Sequence, residues 1–438
     1  MFIIELLKSL ICFKSTIDST SPIEYWVNDP SINLKMKTKH KECQLPINVS
    51  GYKGGGHLIN TSQGRSANCY IVLNNCIENL IEYCPKDWAL KLPLNIYPMA
   101  GLDLNAYYDR KSIKYFYFYD IVEKKNIYLC ESADVVTHEL GHAILDALRP
   151  DFWSVQSYEI WALHEAFSDF IAIISILNNK QILKIATKET SNNLLKSNPI
   201  SRLAEHFAKT LYNVTKGKKG IGPESLRDAV NDFIYIDPKD LPEEASHEKL
   251  SKECHSFGRI MTGCLYEILI EIYNYERQFL DNFDAMQIAK NTMVQYLFIS
   301  IKEVPCTNKI FKVLCKKIIQ IDKRLGSKYS KILNKVFKKR NLLSNYEKLS
   351  IQNFQENKEK IKKIKVDCSR IKNLYVDIPS ENKIEYESDG TVSIFSYNNL
   401  EENIDYATMC VESLYYNKMI GDSFKIKKNN LFRKKIID

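Results

Sequence analysis

Residues 132–149 read SADVVTHELGHAILDALR, and no other stretch limits the fold as strongly. Val135, Val136, Leu140, Ala143, Ile144 and Ala147 recur at helical spacing, Ser132 stands at the cap position and Pro150 ends the run, so a helix is predicted here. Residues four apart on a helix share a face, which brings His138 and His142 together with Glu139 beside them. Two imidazoles so placed can bind a divalent metal, and Glu139 can reach a water on that metal.

A third ligand is expected 23 residues beyond His142, where Glu165 lies in WALHEAFSDFIAII and Asp169 follows four positions later. This tract predicts a second helix over 158–177, and its later half is apolar on all sides, so the helix is expected to be buried. Buried carboxylates without compensation cost several kcal/mol. A cation and an imidazole N–H would offset that cost. Glu165 is therefore expected to complete a site for one Zn2+ per chain with His138 and His142, while Asp169 accepts a hydrogen bond from a ligating imidazole.

Around these helices the chain divides into three parts, with boundaries expected at 94 and 343. Residues 1–94 are mixed, with Gly54, Gly55 and Gly56 in a cluster and an apolar run, CYIVLNNC, expected to be a buried strand. From 105 to 132, aromatic and β-branched residues alternate with polar ones around a Lys-Lys turn, which predicts antiparallel strands. Residues 256–343 read as helix with breaks near Pro305 and Gly326. After 343 the text is rich in Lys and Asn, and YESDGTVSIFSY predicts a hairpin in an appended module, 344–438.

Composition excludes several classes. With 45% hydrophobic and 26% charged residues the chain is globular, and it has no apolar run of the ~18–20 residues a membrane span needs. The opening MFIIELLKSLICFKS is interrupted by Glu5 and Lys8 and lacks a basic start, so a helix is expected rather than a signal peptide. The 12 cysteines include no C-x-x-C pair and read as small core residues. A cytoplasmic location is expected, with secretion the alternative. The net charge of +8 comes largely from runs such as KILNKVFKKR and KEKIKKIK. These could touch nucleic acid or an anionic surface, but no finger, helix-turn-helix or RNA-binding pattern accompanies them, so solvated faces are expected.

The paired motifs resemble those of the thermolysin-like gluzincin metallopeptidases, in which H-E-x-x-H is followed about twenty residues on by Glu-x-x-x-Asp. Upstream, Asn105 and Ala106 in NAYY look like the family's edge strand, where an Asn side chain and the next residue's backbone hold the substrate peptide as an added strand. Downstream, Arg227 in SLRDAVND and His255 in CHSFGRIMTG resemble the family's active-site Arg and transition-state His. Over residues 95–343 the resemblance implies an α+β, thermolysin-like two-lobed catalytic domain with a strand-rich N-terminal lobe, a helical C-terminal lobe and zinc between them. A small extension with β character would follow. It also implies peptide-bond hydrolysis on peptide or protein substrates. In that mechanism Glu139 takes a proton from water and passes it to the leaving amine, His255 stabilises the oxyanion, and Arg227 binds the substrate backbone.

Some positions depart from the family. Gly141 replaces the usual Thr at a position that is not a ligand, and is expected to be neutral. His164 stands where the family often has Asn, so the surroundings of His142 are expected to differ; a fourth-ligand role is disfavoured because adjacent helical positions point about 100° apart. Ser175, Ile176 and NNKQIL offer almost no carboxylate, so no structural calcium is expected after the second helix. The text MAGLDLNAYY lacks the glutamate with which aminopeptidases grip a free amine, which favours endopeptidase or oligopeptidase activity. The competing class is a catalytically silent homologue acting as a scaffold; retention of all three ligands and Glu139 argues against it.

Overall fold

The computed structural model describes residues 22–343, apart from 56–57, 154, 156 and 216–223, and beyond 343 only strand segments between 362 and 432. The apolar opening 1–15 and the side chains of the later Lys-rich runs lie outside the described residues. Strands come first: β1 (Ile23–Trp26) and β2 (Lys35–Thr38) pair as an antiparallel ribbon. Then follow β3 (Ile47–Val49), α1 (Ser62–Leu80), β4 (Leu94–Tyr97), β5 (Ala106–Tyr108), β6 (Ser112–Tyr115), β7 (Tyr117–Asp120) and β8 (Lys125–Tyr128).

Two of the expected antiparallel pairs form, each closed by a carboxylate that binds turn amides. Asp109 accepts from Lys111 N and Ser112 N between β5 and β6, and Asp120 from Val122 N and Glu123 N between β7 and β8. The sheet order β3-β4-β6-β5 also contains two parallel pairings, β3 with β4 and β4 with β6, which alternation could not reveal. The boundary expected at 94 falls at the start of β4, whose sheet neighbour is β3. Residues 47–49 therefore complete this sheet, and one core runs from Leu45 to Leu342.

CYIVLNNC is helical rather than extended. It lies within α1, which Thr61 caps by accepting from Gly64 N at 3.0 Å. Burial on nearly every side makes such a run look the same in a strand or a core helix. Within it, Asn68 accepts from Trp26 N at 2.8 Å and donates to Cys130 O at 2.8 Å, which ties β1 to the approach to α2.

The second half is helical: α2 (Ala133–Leu148), α3 (Tyr158–Ile176), α4 (Lys180–Glu189), α5 (Glu205–Thr215), α6 (Cys254–Glu276), α7 (Asn282–Glu303), α8 (Ile310–Arg324) and α9 (Ser330–Lys339). Two short strands, β9 (Arg202–Leu203) and β10 (Arg227–Asp228), pair between them. With most strands of residues 22–343 gathered before residue 130 and all but one of their α-helices after it, the fold is α+β. Ser132 occupies the cap position of α2, but its hydroxyl lies between the carboxyl groups of Asp29, at 2.7 Å, and Asp134 instead of accepting from the helix. A further break, unexpected from the sequence, separates α6 from α7, where Asp281 caps the new helix.

Gly141 is not neutral. A Cβ there would lie 2.6 Å from Ser168 Cα, so α2 and α3 approach too closely for any side chain at this point. The KILNKVFKKR run divides: Lys335 and Lys339 form ion pairs with Glu271 and Glu267, while Arg340 is buried against Glu267 at 3.0 Å. Beyond 343, Asn382–Tyr386 and Val392–Ser396 pair antiparallel on either side of the expected Asp389-Gly390 turn. Among the described residues no single helix is long and apolar enough to cross a membrane.

Candidate metal centre

Helical periodicity aims His138 and His142 from α2 and Glu165 and Asp169 from α3 at one another across the contact that Gly141 permits. His138 Nε2 and His142 Nε2 are 3.2 Å apart. Glu165 lies 3.5 Å from the first through Oε2 and 3.6 Å from the second through Oε1. A tetrahedral zinc ion with bonds of about 2.0–2.2 Å keeps its ligand atoms about 3.3–3.6 Å apart, so this spacing matches that of a shared ion. Glu165 Oε2 is buried and has no hydrogen-bond partner, a costly arrangement that a cation would relieve. His138, His142 and Glu165 could thus hold a metal ion, as their geometry and donor chemistry both fit.

Behind these groups, Asp169 Oδ1 lies 2.9 Å from His138 Nδ1, which leaves Nε2 of that ring directed at Glu165. Arg227, on β10, grips the same carboxylate with Nε at 2.9 Å and Nη2 at 2.7 Å. The expected substrate-binding arginine therefore spends two donors on Asp169. Thr262 Oγ1 also reaches Asp169, at 3.3 Å.

Electrostatics sort these groups. Burial opposes charge on His138, but the facing carboxylates of Asp169 and Glu165 prevail and raise its pKa to about 9. Burial takes His142 down to about 3 and His164 to about 4. Burial alone would raise Asp169, yet the Arg227 charge holds it at about 2. Glu165 stays well below the usual carboxylate range because the imidazoles of His255, His142 and His138 outweigh its burial. Glu139 goes the other way, pushed up to about 7 by burial. A carboxyl poised near neutrality can both take and return a proton.

His255 lies in the first turn of α6, where Glu253 caps the helix by accepting from His255 N and Ser256 N. Its ring is bound to Glu253 Oε1 through Nδ1, and its Nε2 lies 3.3 Å from Glu165 Oε2. A cavity of about 100 Å³ brings His138, Glu139, Arg227 and His255 together with Asn105 and Ala106. Ala106 begins β5, the edge of its sheet. Phe116 N donates to Asn105 O at 3.2 Å and Asp109 N to Ser112 O at 3.0 Å, so alternation turns the backbone groups of Ala106 and Tyr108 away from β6.

His164 is brought against the site but not into it. Its ring stacks on His142 with centroids 5.8 Å apart, edge-on to Trp153, and neither nitrogen has a hydrogen-bond partner. Sequence reasoning missed Glu253, Cys254 and Thr262. Their only signal was proximity to His255 in the chain, which does not distinguish a partner from a neighbour.

No family model matches the sequence, and no curated protein matches it. Among solved structures the chain is similar to the precursor of protealysin, a metalloproteinase from Serratia proteamaculans. That likeness has 11% identity and a TM-score of 0.43, and covers 72% of this chain and 92% of the other. The functional reading rests on the site itself.

Proposed function

We propose that the chain is a zinc-dependent peptidase that hydrolyses internal bonds of peptides or proteins, with His138, His142 and Glu165 holding the metal. The observation that carries this reading is the spacing of those three ligands around the unsatisfied Glu165 Oε2. Zinc held there would polarise the scissile carbonyl as a Lewis acid and make a bound water more acidic.

The chain's own residues do the rest. The outward N–H and C=O of Ala106 would pair with an extended substrate as an added strand, with the Asn105 side chain beside it. Glu139 takes the proton of the attacking water and returns it to the leaving amine, a role suited to a carboxyl at about 7. His255 Nε2, at the cavity rim, donates to the developing oxyanion. Asp169 and Arg227 orient His138, and Arg227, which lines the cavity, also binds the substrate backbone.

Zinc content by elemental analysis and cleavage of a quenched peptide library test this together. About one zinc per chain, lost in Glu165→Ala, with cleavage abolished in Glu139→Gln, is the expected result. Zinc without cleavage would turn the reading towards a silent scaffold, and a chain that takes up no zinc would overturn it.

A further inference from the structure

Residues 34–41 read LKMKTKHK, with a lysine at every second position, and β2 turns this alternation into one cationic face. Residues two apart on a strand point the same way and stand about 6.8 Å apart. Met36 and Thr38 lie opposite Tyr25 and Ile23, on the face where Ile23 is buried with Ala67 and Ile71. Lys35 and Lys37 therefore stand on the outer face and Lys39 continues their row; all three are exposed. Lys35 rests 4.2 Å over the Trp26 ring, and Glu24 lies opposite Lys37 in the ribbon. Among the described residues none of the three lysines forms an ion pair, whereas Lys41, next in the row, is taken by Glu78 at 3.0 Å.

The same strand has an open edge. Among the described residues β2 pairs with β1 alone. Val27 N donates to Leu34 O at 3.0 Å, while Trp26 N turns the other way, to Asn68 at 2.8 Å. Alternation therefore directs the N–H and C=O groups of Lys35 and Lys37 away from β1. We propose that this edge docks an extended acidic peptide, antiparallel to β2, with Asp or Glu at alternate positions facing Lys35, Lys37 and Lys39. This binding stands apart from the peptidase reading and does not depend on it.

Charge and backbone together select that partner. Lysines along an edge disfavour pairing with a neutral or basic strand, which would meet them without a counterion, and leave an acidic strand as the compatible one. A nucleic acid would use the cations but not the backbone groups. The row also opens into a cavity of about 1240 Å³, which Lys35 lines together with Arg65, Lys125 and Lys209. Glu123 engages Lys125 there at 2.7 Å. Arg65 spends only Nε on Glu131, at 2.7 Å, and lies 3.5 Å over the Tyr128 ring. Its terminal nitrogens remain for a carboxylate near the C-terminal end of the peptide, the end that an antiparallel strand brings to Lys35.

The test is fluorescence anisotropy of a labelled peptide of alternating Glu and Thr titrated with the full chain, with peptide integrity followed by mass spectrometry. The wild type binds it, and a peptide with Gln for Glu binds on the order of 10-fold more weakly, as exposed ion pairs contribute up to about fivefold each. Lys35→Gln with Lys37→Gln weakens binding about 2- to 10-fold on the same basis. N-methylation of the glutamate amides, which face β2 in the antiparallel register, lowers affinity on the order of 10-fold, the size of losing a few backbone hydrogen bonds. N-methylation of the threonine amides, which face away, leaves affinity within about twofold. No binding by the wild type, equal losses from the two methylated peptides, or unchanged binding in the double variant would each overturn the proposal. Displacement of the peptide by oligothymidylate at a lower concentration than by unlabelled peptide would also overturn it, and would assign the lysine row to nucleic acid.

Discussion

Glu159 and Glu165 sit on the same buried helix, α3, and their surroundings differ in kind. Glu159 accepts from Tyr235 OH at 2.7 Å and from Phe311 N at 3.0 Å, so both oxygens are satisfied by uncharged donors. Burial then pushes it up to about 7. Glu165 faces three imidazoles, is held well below the usual range and keeps an oxygen without a hydrogen bond. A buried carboxylate that ties a fold together is closed by neutral donors, whereas one left open towards imidazoles is arranged for a cation. Burial alone does not separate the two; the partners do.

The contrast can be broken by activity. Glu139→Gln is expected to lower kcat on the order of 10²–10⁴-fold with zinc retained, the size of losing a general base. Glu159→Gln should leave zinc content and kcat near wild type. A comparable loss in Glu159→Gln, in a chain that remains folded, would break the distinction between tie and ligand support.

Stability sharpens it. Because the folded pKa of Glu159 lies above its ordinary 4.5, its contribution is fully present below about pH 4.5 and is lost as pH rises through about 7. That loss is about 3 kcal/mol. Denaturant midpoints of wild type and Glu159→Gln, compared at pH 5 and pH 8, should show the variant lacking this part of the decline. Equal declines would show that Glu159 does not stay protonated in the folded chain.

The smallest effect is expected behind the metal. Asp169→Asn keeps the shape but loses the charge facing His138 and Arg227, and should weaken zinc about 10- to 100-fold in competition with a chelator. Unchanged affinity would mean that Asp169, like Glu159, serves the fold alone.

Much of the site was legible before any coordinates. The four-residue spacings of His138 with His142 and of Glu165 with Asp169 are local, and a helix converts them directly into a shared face. The hairpin across the Lys124-Lys125 turn was legible from its two-residue alternation, whereas the turn at Asp109 carried no such mark. The α1 segment was misread because a short run buried on all sides has no period to read.

The sequence by itself determined which groups could bind a metal and on which faces they stand, since backbone periodicity depends only on neighbouring residues. Tertiary structure alone decided that Gly141 must lack a side chain, that Arg227 grips Asp169, that Glu159 is closed by Tyr235 and Phe311, and that Cys254 and His255 meet Glu165. Each of these joins residues from different helices, strands or loops. Their separation is set by how apolar faces pack, and no spacing along the chain records that distance.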